Sequence, residues 1–191
     1  MSSDNRLSKR RTVLKALGSG LIVSSMAGPA SARSDALARE LNDVRKATRR
    51  YRDVSTARSD GYDGQISPYV PGMGFHFIDP ARIASDASEY VDVTNPPMLV
   101  YVPTGSYTPD PGDVHDEERD DDLRLAAVEF AHFETGVPGN YFSDETSTRS
   151  LKTTEAEGWG PIPNTPLHAL HVWVHRNNPD GVFHPTNRTV A

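Results

Sequence analysis

Apolar positions between residues 34 and 61 recur with helical spacing. Leu37, Leu41, Val44, Thr48 and Tyr51 stand at intervals of 4, 3, 4 and 3, which draws one stripe along a helix. Ser34-Asp35 supplies an N-cap with an acid in the first turn. Asp53 is placed to cap a continuation through Val54 and Ala57, and Gly61 to stop it. From Gly64 the period changes. Short apolar runs stand between Pro, Gly and Asn clusters, which predicts strands over 66–70, 74–78, 98–102, 123–133 and 167–175. Asp79-Pro80 predicts the start of a short helix reaching Tyr90. Segments 109–122 and 138–166 read as long irregular loops. A helix followed by short strands predicts an α+β fold, with an N-terminal helix packed on a mainly antiparallel sheet.

The first 32 residues depart from this picture. Lys9-Arg10-Arg11 precedes a short apolar stretch over 16–27, and Ala30-Ser31-Ala32 offers a small-residue cleavage site. This is the layout of a twin-arginine signal peptide. The expectation is a leader over 1–32, a single domain over 33–191 and a secreted, extracytoplasmic location. The apolar stretch is interrupted by Gly and Ser and falls short of the ~20 residues a membrane helix needs. No membrane anchor is therefore expected after cleavage.

Charge sharpens the division. The chain has 191 residues with a formal net charge of −6, yet its leader carries five basic residues against Asp4 alone. The remainder is strongly acidic, with Lys46 and Lys152 as its lysines. Such a surface argues against binding nucleic acid and fits solubility at high salt, a halophilic trait. The acidic run over 110–122 reads as a solvated loop, since it lacks the EF-hand spacing for calcium. There is no cysteine, so disulfides and thiolate metal sites are excluded. A metal here must take imidazole, carboxylate, carbonyl or water ligands, which favours zinc, copper, iron or manganese.

Seven histidines carry the candidate chemistry. Alternation along 72–78 places His76 opposite Phe75 and Phe77, with Gly72 and Gly74 allowing close approach. Glu129 interrupts an apolar strand, where a carboxylate is costly unless paired or bound to a cation. Along 167–175, strict alternation puts His171, Trp173 and His175 on one face. His76, Glu129 and His171 form a candidate ligand set for one transition metal ion, with a position left open. The rival reading is a structural or small-ligand-binding extracellular domain with a buried Glu–His network. His115 reads as solvated, His132 as facing away from Glu129, and His184 as a possible extra ligand. Trp173 reads as core packing. There is no HExxH, no G-x-S-x-G elbow and no phosphate-cradling Gly loop, so no catalytic residues or reaction can be named. The expected partner is a metal ion or small molecule.

Several strings occur in a fixed order: Gly72-Met73-Gly74-Phe75-His76, Ala127-Val128-Glu129-Phe130, Leu170-His171-Val172-Trp173 and Asn178-Pro179-Asp180-Gly181-Val182-Phe183. Together with Tyr51-Arg52-Asp53-Val54, Asp60-Gly61-Tyr62 and Pro97-Met98-Leu99-Val100-Tyr101, they span about residues 47–190. The chain thus resembles a family of uncharacterised secreted bacterial and archaeal proteins with GMGxH, VEY-like, LHVW and NPxGxF motifs. The resemblance implies His76, Glu129 and His171 as the polar members of the pattern, and no particular activity. The family has an aromatic at the place of His175 and a small residue at that of His184. Its NPxV-like closure is replaced by Asn187-Arg188-Thr189-Val190.

Overall fold

A computed structural model describes residues 29–83, 92–133 and 159–190. The leader's arginines and apolar stretch, most of the helix expected after Asp79, and residues 134–158 lie outside the described residues. The described parts form an α+β fold. Helix α1 runs Pro29–Thr48 and so begins ahead of the cap expected at Ser34. Proline tolerates a first helical turn because its missing N–H has no intrahelical partner there. Along the expected stripe, Val44, Thr48 and Tyr51 are buried, and Leu37 and Leu41 pack on the same core. Helix α2, Val54–Ala57, is capped by Asp53, whose carboxylate accepts from the Ser55 amide at 2.9 Å. Gly61 ends the following turn with φ of 99°.

Six strands follow: β1 Gln65–Ile66, β2 Phe75–Ile78, β3 Met98–Pro103, β4 Leu123–Phe133, β5 Trp159–Pro161 and β6 Leu167–Val172. They form one sheet in the order β1-β2-β3-β4-β6-β5, antiparallel throughout. One face packs Phe75, Phe77, Leu99, Tyr101, Phe130 and Leu170 against the helical segment. The other carries a smaller cluster of Val100, Val102, Ala127, Trp173 and Val190.

A β-bulge decides which face Glu129 takes. Val100 pairs with Ala127 but Tyr101 with Leu125, so Ala126 is an extra residue in β4. Leu123 and Leu125 face the main core before it, and Val128 and Phe130 do so after it. Unbroken alternation would have put Glu129 into that apolar core; the bulge sends it to the opposite face. The Ala126 carbonyl accepts from the amides of His175 and Arg176 at 3.1 and 3.0 Å, so the displaced backbone is satisfied.

Gly74 is a glycine the sheet cannot replace. Its φ is 116°, and a Cβ there would stand 2.3 Å from the Tyr101 carbonyl oxygen. Gly74→Ala combines backbone strain with a clash against an interior strand. It is expected to cost at least about 2 kcal/mol and lower Tm by roughly 5–10 °C, as calorimetry would measure.

The structure departs from the predicted elements in four further places. Strand 66–70 shrinks to β1 and a single Val70–Gly74 bridge, because Pro68 has no amide to donate. The strand expected to reach His175 ends at Val172, where the Val174 amide turns back to the Val172 carbonyl at 2.9 Å. Strand β5 lies inside the expected loop 138–166. The acidic loop is anchored rather than fully solvated. His115 is buried among Phe75, Phe77 and Tyr107, and its Nε2 meets Asp120 at 2.7 Å. Arg58 donates to both oxygens of that carboxylate at 2.8 and 3.0 Å, tying the loop to the helical segment.

Candidate metal centre

Three strands deliver the site: β2 and β4, which flank β3, and β6, which pairs with β4. In the register Glu129 stands opposite His171, while His76 pairs with Val100, two positions along β3 from Met98, the partner of Glu129. Paired residues share a face, so the two imidazoles and the carboxylate converge on the side away from α1. All three are buried, at 8, 3 and 4% exposure for His76, Glu129 and His171. One donor atom from each lies within 4.8 Å of the others, close enough to hold a metal ion. His76 Nε2 is 3.2 Å from His171 Nε2 and 3.4 Å from Glu129 Oε2, and His171 Nδ1 is 3.5 Å from Glu129 Oε1.

The hydrogen bonds of Ser67 favour one tautomer of His76. Ser67 Oγ donates its one proton to the Pro68 carbonyl at 2.9 Å. It can then only accept from the His76 amide at 2.9 Å and from His76 Nδ1 at 3.0 Å. In that arrangement Nδ1 carries the proton, and Nε2 turns a lone pair into the cluster. This is the outer hydrogen bond that commonly orients a metal-binding imidazole. Ser67→Ala is expected to weaken metal binding about 10- to 100-fold with little loss of fold, as competition with a chelating dye would measure. On the other side, the His171 ring stacks on Trp173 with centroids 5.9 Å apart and planes 13° apart. The Trp173 indole donates to the His184 carbonyl at 2.7 Å, which holds that ring in place.

Without a cation the cluster is electrically neutral. Burial raises the Glu129 carboxyl to about 8 and lowers His76 to about 4. His171 falls well below its ordinary value through burial and then repulsion from His76. Near pH 7 the short contacts thus join a protonated carboxyl to neutral imidazoles and are not ion pairs. A cation reverses this balance, since it stabilises the carboxylate and the imidazole lone pairs together.

The other histidines lie elsewhere. His175, expected on the face of His171, is turned to α1 by the break after Val172 and meets Thr48 Oγ1 through Nε2 at 2.8 Å. His115, expected to be solvated, sits in the main core. His184 is exposed and bonds locally to Thr186. His132 and His168 pair across β4 and β6. Trp173 is 3% exposed, in keeping with core packing. Ser67 was not foreseen; a lone serine before a proline carries no signal of a partner nine residues away. In comparisons with known proteins, no family model, no curated protein and no solved structure matches the chain.

Proposed function

We propose that this is an exported protein that binds one transition metal ion through His76, Glu129 and His171. The observation that carries the reading is the spacing of the donor atoms. Ligands about 2.0–2.1 Å from a tetrahedral ion stand roughly 3.3 Å apart, and the contacts from His76 Nε2 are 3.2 and 3.4 Å. Two neutral nitrogens and one carboxylate suit zinc first, with iron, copper and manganese as competitors. Three protein ligands leave a coordination position for water or a small molecule, where the ion can act as a Lewis acid. Export rests on the leader pattern over 1–32, and the acidic surface suits a salty exterior.

A second reading draws on the same 3.2 Å contact. With His76 Nε2 unprotonated, His171 Nε2–H can donate to it, giving a metal-free hydrogen-bonded core. Elemental analysis of protein purified without a histidine tag separates the two. Close to one metal ion per chain, surviving gel filtration, is expected. A chain that stays metal-free after incubation with each of the four ions would leave the structural network.

A further inference from the structure

A concave region lies between the helical segment and the residues following β6. Its volume is about 410 Å³, and Arg45, Arg52 and Arg176 line it together with Trp173, Val182 and His175. On a chain of net charge −6 this is a local reversal of sign. Arg58 and Arg82, by contrast, are held by Asp120 and Asp79. No carboxylate of a described residue pairs with the three cavity arginines.

Two of the three are nonetheless fixed in place. Arg45 donates through Nε to the Val174 carbonyl, and Arg176 donates through Nε and Nη2 to Thr189. On each, N–H groups of the planar fork that matches oxyanions lie outside these bonds among the described residues. Thr48 Oγ1 donates to the Val44 carbonyl and so accepts from His175 Nε2–H, which holds the His175 ring at the wall. Burial, then Arg52 and Arg45, lower His175 to about 4, so this wall stays neutral and the arginine field is felt across it.

We propose that this cavity binds a small oxyanion, a carboxylate or phosphate group on a compact body. The guanidinium forks supply directed charge in a recess already formed, so little ordering accompanies binding. None of His76, Glu129 and His171 lines the cavity, and Trp173, which stacks on His171, forms the wall between the two.

Calorimetric titration of the full chain with inorganic phosphate and with malonate, in chloride buffers of matched ionic strength, tests this. One-site saturation with a Kd below about 1 mM is expected for at least one of them, and the tighter binder assigns the phosphate or carboxylate class. Arg52→Gln, at an exposed position, should weaken that binding at least tenfold, as should Arg45→Gln. Arg188→Gln and His76→Ala should leave it unchanged. The proposal is overturned if neither anion saturates beyond chloride, if both cavity variants bind like the parent, or if His76→Ala abolishes binding. The last result would place the anion on the metal instead.

Discussion

Replacing His171 with alanine is expected to lower metal affinity by at least about a hundredfold, more than loss of an outer hydrogen-bond partner brings about. Two donors cannot enclose the ion that three hold, and the vacated volume next to Trp173 admits water as a poorer ligand. The fold should survive. His171 lies near the end of β6, its backbone pairing with Glu129 does not involve the ring, and the main core on the other face is untouched. Truncating a buried ring leaves a cavity that costs about 2–3 kcal/mol, set against relief from burying a polar group. His76→Ala should behave alike. Competition with a chelating dye and circular dichroism would check both. Stoichiometric metal retained by the two variants together would remove His76 and His171 from the site.

The second large effect is on the pH dependence of stability. In the folded, metal-free chain Glu129 keeps its proton to about pH 8, against an ordinary value of 4.5. Between these values the unfolded chain binds fewer protons than the folded one, so stability falls as pH rises. The histidines act in the opposite sense. His76 titrates at about 4 when folded and 6.5 when unfolded, so its contribution is lost as pH falls below 6.5. From pH 6.5 to 8, Glu129 therefore dominates the response of the site. The Tm of the metal-free chain should drop across that window. Glu129→Gln should flatten the drop while abolishing metal binding. Saturating metal should flatten it as well, because the bound carboxylate has already lost its proton. At pH 7, binding should release close to one proton per ion, as calorimetry in buffers of different ionisation enthalpy would show. A flat metal-free profile, with no proton released, would contradict a buried neutral carboxyl.

The helix stripe and the central strands were legible because their periods are local. Strand β4 was predicted end to end, Leu123–Phe133, and β3 to within one residue. The alternation that set His76 opposite Phe75 and Phe77 holds in the sheet. What escaped depended on partners far along the chain. The bulge at Ala126 answers to a register with β3 and to amides beyond β6, and nothing in the apolar run 123–133 announces it. His115 looked solvated among eight acids, yet a single one, Asp120, together with Arg58 draws it inward. Strand β5 contains Gly and Pro, poor strand formers, and exists as an edge because β6 offers it a partner. His175 was misassigned to the face of His171 because a three-residue turn cannot be seen in an alternating sequence.

The register of the sheet also sets when the ligand group can come into being. Residues 76, 129 and 171 are separated by dozens of residues and meet only after β2, β3, β4 and β6 have zipped together. A nascent or half-folded chain offers an ion isolated imidazoles and no chelate. Capture of an ion by these three residues would therefore certify completed assembly, and its binding energy would be drawn entirely from the finished state.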